Sequence, residues 1–509
     1  MVERFTLSKS KFLAGCQCPR RLYLSCRAPE LATPPGGGLQ AVLDLGHEVG
    51  RRAHALFPGG VLIAEEAYEH DRAVEHTRRV LADPAVGALF EAAFVHDGVR
   101  VRVDVLERLP GGSFGLREVK ASTRVKPVHL EDCAVQRFVL EGCGIPVESV
   151  ELLHVDRNFV RGKGPIDWRR FFVREDVTEE VGRVPGEIRG RVAEMQAIVA
   201  RDRPPSVEPS AHCFEPYDCE FWGHCTRDRP DDWVFRLPRL RDGPFDALRA
   251  EGVERIRDIP DGFPLSDTQK RIREVWRRGR PFVSPGLPAE IAGLGPPTAY
   301  LDFETMNPAI PFYPGTRPYQ RIPFQWSLHR VDTSGSLHHH AFLAEGDLDP
   351  RRELAQTLLA ALAPAPGEDD PTPILVYSAF ESSVLGDLAA HLPDLACALQ
   401  AIRERLVDLL PIVRRNLYLR DFDFSYSIKN VVPALSAGFG YDDLEGIAEG
   451  TAASSAFTSI VAGALDAGRA ETLRRQLLAY CERDTLALVE LHRALVSRAG
   501  SRVPARSAS

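Results

Sequence analysis

The sequence predicts a mixed α/β chain of two domains joined by a small helical connector, and three observations predict it. Its 509 residues exceed what one hydrophobic core normally organises, so two or three domains are expected. Strand-like and helix-like apolar patterns mix across residues 1–230 and again across 295–500. Between them, residues 231–294 are polar and proline-punctuated, with DIPDGFPLSDTQKRIREVWRRGR near the centre, which reads as a helical link. Residues 501–509, SRVPARSAS, read as a disordered tail.

Apolar residues make up 44% and charged residues 26% of the chain, a globular composition that excludes a mostly disordered protein. A formal net charge of −8 gives no global pull toward nucleic acid, so any such binding must use local basic patches. No apolar run reaches membrane-spanning length, and MVERFTLSKSKFLAG lacks a signal-peptide core. A cytoplasmic protein without membrane contact is therefore expected. In a reducing compartment the ten cysteines are not expected to form structural disulfides. Cys26, Cys133, Cys143, Cys397 and Cys481 are scattered and read as small buried hydrophobes. Cys18 in GCQCPRRLYL, and Cys213, Cys219 and Cys225 in AHCFEPYDCEFWGHC, suggest a metal or iron–sulfur site instead.

The first domain opens with a short helical stretch, then Pro/Gly-rich ATPPGGG and a helix from Leu39 to Phe57 containing LGHEVG. Two strands are expected across Phe90 to Ser122, joined by the turn LPGGS, whose glycines permit positive φ. The helix HLEDCAVQRFVLEGCG and the strand VESVELLHV follow. In VRVRVDVLERL, a period of two sends Val101, Val103 and Val105 to one face and Arg100, Arg102 and Asp104 to the other. Glu118 and Lys120 share a face of FGLREVKAS, so Asp104, Glu118 and Lys120 converge if the hairpin pairs in its simplest register. Two hard carboxylates suit Mg²⁺ or Mn²⁺, and a neighbouring ammonium can orient an attacking water, which together fit phosphodiester hydrolysis. Glu-x-Lys is equally the pattern of an ordinary exposed salt bridge.

The second domain starts at PPTAYLDFET, where Asp302 and Glu304 lie on one strand face and Leu301 and Phe303 on the other. Such a strand supplies two ligands to a catalytic metal pair. ILVYSAFESSVL reads as a strand running into a helix, with Glu381 just past the strand. AYCERDTLALVEL reads as an amphipathic helix with Tyr480 and Asp484 on one face, four residues apart. Asp408 in RLVDLLPIV is a second candidate carboxylate, with more the character of a non-ligating strand residue. Lys429 in FDFSYSIKNVVPAL is open to two readings, a phosphate contact or a solvated side chain. PFYPGTRPYQRIPFQWSLH mixes aromatics with arginines that could stack bases and grip phosphates, although Phe324 and Trp326 equally suit a core.

In its order along the chain, the set His47, Asp104, Glu118-x-Lys120 and Gln136 resembles the RecB-like branch of the PD-(D/E)xK nucleases. The resemblance implies a restriction-endonuclease-like core over residues 1–230. His47, Asp104 and Glu118 would be metal ligands or near neighbours, Lys120 the catalytic lysine and Gln136 a substrate-positioning residue. Iron–sulfur members of this branch, AddB-like and CRISPR-adaptation nucleases among them, place one cysteine before the core and three after it. By that resemblance Cys18, Cys213, Cys219 and Cys225 hold a structural [4Fe–4S] cluster. The C-x5-C-x5-C spacing departs from the tighter pairing of those relatives. Cys16, His212 and His224 stand close enough to substitute, and a four-cysteine zinc site is the chemical alternative.

YLDFET, Glu381 and YCERDT resemble the DnaQ-like, RNase H-fold 3′–5′ exonucleases of the DEDD type, in their tyrosine variant. That implies two divalent ions held by Asp302, Glu304, Glu381 and Asp484, with Tyr480 positioning the attacking water. The family usually carries Asp in place of Glu381 and Asn in place of Ser378. Over nearly its whole length the chain resembles bacterial proteins that join these two modules. The implied function is a two-site, metal-dependent nuclease acting on nucleic acid, DNA favoured over RNA, in repair, processing or defence. The alternatives are a single-site nuclease whose second module clamps nucleic acid, and a non-catalytic metal-bound scaffold. No G-x-x-x-x-G-K-[ST] loop occurs, so unwinding would need a helicase or similar partner.

Overall fold

The computed structural model describes residues 6–500 except 35, 184, 241–242, 364–371, 445 and 464, so the tail expected over 501–509 lies outside the described residues. The chain divides into two compact units, Met1–Asp228 with Pro308–Gln320, and Arg229–Asn307 with Arg321–Ser509. Both are mixed α/β. Among the described residues, no helix is long and apolar enough to cross a membrane.

In the first unit, seven strands form one mixed sheet: β1 (Leu7–Ser8), β2 (Val61–Leu62), β3 (Ala88–His96), β4 (Val99–Arg108), β5 (Phe114–Lys120), β6 (Val147–Val155) and β7 (Phe172–Asp176). The order is β2-β3-β4-β5-β6-β7, with β1 lying parallel to the start of β4. Strands β3, β4 and β5 form an antiparallel meander, and β5 then runs parallel to β6. The helix Pro127–Gly142 makes that parallel connection, with proline in its first turn where no backbone N–H is needed. The two strands expected across Phe90 to Ser122 are in fact three. Asp97 and Gly98 both have positive φ, at 46° and 75°, and close a tight hairpin between β3 and β4. Asp-Gly is a favoured pair for such a turn because its twist matches that of the flanking strands.

Alternation in β4 holds in three dimensions: Val99, Val101, Val103 and Val105 are buried while Arg102 and Asp104 are half-buried. β5 lies between two neighbours, and every residue of it except Lys120 is buried. Residues 308–320, expected within the second domain, belong to the first unit. Arg161 exchanges backbone hydrogen bonds with Gly315 and Thr316, at 2.8 and 3.0 Å, and the Tyr319 hydroxyl donates to the carbonyl of Ala121. The left-handed backbone of Gly315 (φ 81°) makes the turn this excursion needs.

The second unit holds β8 (Phe282–Val283), β9 (Thr298–Met306), β10 (Ile322–Val331), β11 (Leu337–Leu343), β12 (Ile374–Val376), β13 (Leu406–Asp408) and β14 (Leu417–Tyr418). Five of them form a sheet in the order β11-β10-β9-β12-β13, where β9 to β11 are antiparallel neighbours and β12 and β13 run parallel to β9. The 34-residue helix Ala467–Gly500 packs on β9 and β10. It buries Leu477, Tyr480, Cys481, Leu488, Leu491 and Leu495, a stripe at helical spacing.

Residues 231–294, expected as a separate connector, fall within this unit. Their helix Asp267–Arg278 starts at a Ser266–Gln269 capping box and stops at left-handed Gly279. β8 pairs with β14, and Arg420 donates to the Trp276 carbonyl at 2.7 Å, so the stretch is tied to the fold rather than strung between domains.

Candidate active sites

Two groups of carboxylates gather, one in each unit. In the first unit, the β4–β5 ladder ends at Val105 and Arg117, one step before Asp104 meets Glu118. The Asp104 carboxylate instead accepts the N–H of Val119 at 2.7 Å. Lys120 reaches back to Glu118 at 2.5 Å and across to Asp132 at 2.6 Å. Gln136 donates to Glu118 at 2.7 Å and to Asp132 at 3.0 Å. Asp104, Glu118, Lys120 and Gln136 are thus brought together. The Glu118 side chain is 1% exposed, which removes the exposed-salt-bridge reading for it.

Two members of this group escaped the sequence analysis. Asp132 lies one helical turn before Gln136, on the same face. Lys9 comes from the N-terminal helix Lys9–Gln17 and sits 3.0 Å from Glu118 and 3.3 Å from Asp132. Burial alone would raise the Glu118 carboxyl, but Lys120 and Lys9 outweigh it and hold the group below the ordinary range. Asp104 is pushed up to about 7, by burial first and then by the Glu118 charge. Asp132 is raised for the same two reasons. Lys120 stays protonated because Glu118, Asp132 and Asp104 overcome the cost of burying it. The Oε1 atom of Gln136 is buried without a hydrogen-bond partner.

His47 is exposed on the helix Gly37–Ala53, and in β3 the carboxyl of Glu91 is raised by burial. Glu91 has a left-handed backbone (φ 57°) between the pairs Phe90–Val105 and Ala92–Val103, facing Asp104 across the ladder. A non-glycine residue in that conformation costs about 1–2 kcal/mol.

Cys18, Cys213, Cys219 and Cys225 line one small cavity of about 20 Å³, with His212 and Arg21 beside them. Burial pushes the Cys219 thiol up to about 11 and raises those of Cys213 and Cys225. Among the described residues, no three of these sulfurs lie within 4.8 Å of one another. A tetrahedral Zn–S₄ site with bonds of about 2.3 Å needs edges of about 3.8 Å. Of the possible substitutes, His212 lines the cavity, with its Nε2 3.6 Å from Cys213 Sγ. Cys16 is instead held by Arg191, and His224 by Arg227. Cys26 is half-buried and Cys143 and Cys397 are exposed, so only Cys133 and Cys481 of the scattered five are buried as expected.

In the second unit, β9 presents Asp302 and Glu304 on the face covered by the C-terminal helix, which brings Tyr480, Cys481 and Asp484. Glu381 enters in the first turn of the helix Phe380–His391, after β12, and Ser378 Oγ lies 3.4 Å from it. Cys481 Sγ lies 3.7 Å from Asp302 Oδ2, and ligand atoms of Asp302, Glu304 and Cys481 fall within 4.8 Å of one another. The Asp302 carboxyl is raised well above its ordinary value, by burial first and then by Asp484, Glu304 and Glu381. Glu304 is pushed up to about 8 by burial and Asp484, and Glu381 to about 7 by burial and Asp408. Burial raises Asp484 as well, and its Oδ1 atom has no hydrogen-bond partner.

Lys429 is half-buried and donates to the Tyr480 hydroxyl at 3.0 Å, so it is not merely a solvated side chain. Burial and then the surrounding acids keep that hydroxyl protonated. Asp408 caps the helix Leu409–Asn416 by accepting the Leu410 N–H at 2.9 Å. Phe324 and Trp326 are both core residues. A cavity of about 670 Å³ opens in the same unit, lined by Tyr377, next in sequence to Ser378, and by Arg239, Arg414, Phe424, Tyr426 and Ser427 among others.

The donor sets differ in what they can hold. The second unit offers four acids with one nearby ammonium and an orphaned carboxylate oxygen, a set that suits hard divalent ions. In the first unit two ammoniums already neutralise Glu118 and Asp132, so a divalent ion there must displace Lys9. Residues 299–427 match the family model of a domain of unknown function, DUF2779. The match includes Asp302, Glu304, Glu381 and Asp408 and stops short of Tyr480 and Asp484. No curated protein matches the chain.

Proposed function

We propose that the chain is a metal-dependent nuclease whose principal active site is the acid cluster of the second unit. One observation carries this: four acids, Glu304 and Glu381 buried and Asp302 and Asp484 half-buried, are all raised by burial, and Lys429 is the ammonium that acts on Glu304 and Asp484. Unpaired buried carboxylates are costly, and evolution of a stable fold around them makes sense when a cation completes the site. Asp302, Glu304, Glu381 and Asp484 would hold Mg²⁺ or Mn²⁺, which when bound supplies Lewis-acid polarisation of a phosphodiester and an activated water. Tyr480, kept protonated and fixed by Lys429, can donate to a water or to a phosphate oxygen. Arg239 and Arg414, which line the neighbouring cavity, can grip backbone phosphates. The strand order, with β10 the antiparallel neighbour of β9, supports an RNase H-like fold for this unit. The β3–β5 meander followed by a parallel β6 supports a restriction-endonuclease-like core for the first.

The first unit supports a second nuclease site, with Asp104, Glu118 and Asp132 as ligands, Lys120 as the catalytic lysine and Gln136 positioning substrate. Lys9 bridging Glu118 and Asp132 favours a site that works only after this ammonium moves, and otherwise a clamp. Four cysteines lining one cavity support a [4Fe–4S] cluster, with a four-cysteine zinc site as the chemical alternative.

The test is cleavage of end-labelled single- and double-stranded DNA and RNA in Mn²⁺. Asp302→Asn is expected to lower cleavage at least 100-fold, and the residue to vanish in the Asp302→Asn, Lys120→Ala double variant. Wild-type rates in the double variant would overturn the proposal, and full loss with Lys120→Ala alone would move the activity to the first unit.

A further inference from the structure

On the second unit's sheet, His329 of β10 and His339 of β11 are direct cross-strand partners. Their rings lie 4.5 Å apart, inclined by 32°. Glu482, from the C-terminal helix, brings its Oε1 to 3.7 Å from His339 Nδ1. Nitrogen and oxygen ligand atoms of the three residues fall within 4.8 Å of one another. One nitrogen of each ring is fixed by a hydroxyl: His339 Nε2 by Ser327 at 2.9 Å, and His329 Nδ1 by Thr485 at 2.8 Å. The two hydroxyls are themselves 2.8 Å apart. The network leaves Nε2 of His329 and Nδ1 of His339 without these hydroxyl partners, and His339 Nδ1 is the nitrogen that faces the Glu482 carboxylate.

From this geometry we infer a metal site, separate from the acid cluster, in which His329 Nε2, His339 Nδ1 and Glu482 bind one zinc-class divalent ion with water completing the shell. Imidazole with one carboxylate selects borderline ions such as Zn²⁺ or Co²⁺ over Mg²⁺, whose affinity is for oxygen alone. Bonds of about 2.1 Å around a tetrahedral ion set its ligands about 3.4 Å apart, close to the existing 3.7 Å between His339 and Glu482. Fixing the outer nitrogen of each histidine by a hydrogen bond is the usual support of metal-ligating imidazole, because it locks tautomer and ring orientation. Burial first, and then the His339 charge, lowers His329 to about 4, so its ring is neutral and available to a metal at neutral pH.

The ion would pin the β10–β11 hairpin to the helix that carries Tyr480 and Asp484. Glu482 and Thr485 flank Asp484 on that helix, so the strut would hold in place the segment that closes the acid cluster. Its role is to position, since none of its three ligands belongs to that cluster. The inference stands whether or not the chain cuts nucleic acid.

The experiment is zinc binding by the full chain, stripped with a chelator and then dialysed against Zn²⁺, with bound metal measured per chain. Wild type is compared with Glu482→Gln, with His339→Ala and with the double variant, all of which keep the cysteines and the acid cluster. The double variant is expected to bind one Zn²⁺ fewer per chain. Glu482→Gln, a change at a half-exposed side chain, is expected to weaken that ion at least tenfold while leaving the metal-free melting temperature unchanged. Zn²⁺ should raise the wild-type melting temperature more than that of the double variant, and millimolar Mg²⁺ should leave this difference at zero. Equal zinc content and equal affinity in wild type and double variant would overturn the site and reduce the contact to a histidine–glutamate ion pair.

Discussion

Replacing Glu304 with Gln removes one charge from the acid cluster while keeping the shape of the side chain. Glu304 is raised from 4.5 to about 8, by burial first and by Asp484 second. The folded chain thus keeps a proton that the unfolded chain releases near pH 4.5. Between these values the native state binds more protons, so its stability falls as pH rises across the window and the full loss is reached above about pH 8. At about 1.4 kcal/mol per pKa unit the ceiling for this residue is roughly 5 kcal/mol. Asp302, Glu381 and Asp484 share the repulsion, so relieving one charge should recover about 1–3 kcal/mol. The expected result in chelator is that Glu304→Gln matches wild type near pH 4.5 and becomes progressively more stable than it toward pH 8. With Mn²⁺ at a hundred times its dissociation constant, wild type gains about 2.7 kcal/mol and the variant far less, so the gap closes or reverses. The assay is calorimetry of the full chain from pH 4.5 to 8, following the transition that the substitution moves. A variant less stable than wild type at pH 8 in chelator, or a difference that does not vary with pH, would refute the reasoning.

Lys120→Met leaves Glu118 and Asp132 to Lys9 alone and should cost about 3–5 kcal/mol in denaturant unfolding, whereas Lys9→Met should cost less, about 1–3 kcal/mol. Asp408→Ala removes a helix cap and should cost about 1 kcal/mol while leaving Mn²⁺ affinity unchanged; a loss of metal affinity would make Asp408 a ligand. Anaerobically purified protein should carry about four irons per chain and absorb in the visible, and Cys18→Ser should lower both along with the melting temperature. Bound zinc in place of iron would favour the chemical alternative.

Much of both sites was legible because their residues lie at short, periodic spacings. Asp302 and Glu304 obey the period of a strand, Tyr480 and Asp484 that of a helix, and Glu118 and Lys120 both face the helix that delivers Gln136. Asp132 was within reach of the same reasoning, since it stands four residues before Gln136 in HLEDCAVQ. Lys9 was not, because nothing local links it to Glu118. It arrives through the pairing of Leu7 and Ser8 with Val99 and Arg100, a long-range contact with no sequence period. The return of residues 308–320 to the first unit has the same origin. The Asp97–Gly98 hairpin was missed for a different reason: the glycines of LPGGS drew the turn to a later loop. Cys481 passed for core, and it is buried, but the thiol that fills the helix face also points at Asp302.

Electrostatics reverses the order of priority that the motifs suggest. Glu118-x-Lys120 has the richer sequence context, with cysteines on both sides and Asp104 and Gln136 in register. Yet that group is nearly self-sufficient: two ammoniums lie against two of its acids, and Glu118 is held ionised without any metal. The acids of the second unit, reached through two short and common patterns, have only Lys429 among them in the described residues, and burial raises their carboxyls instead. A divalent ion entering that cluster competes with protons rather than with a tethered cation. One entering the first unit must displace a tethered lysine from Glu118, which stays charged. The same kind of ion should therefore bind the second unit at lower concentration, even though glutamate stands at position 381 where a shorter acid is usual.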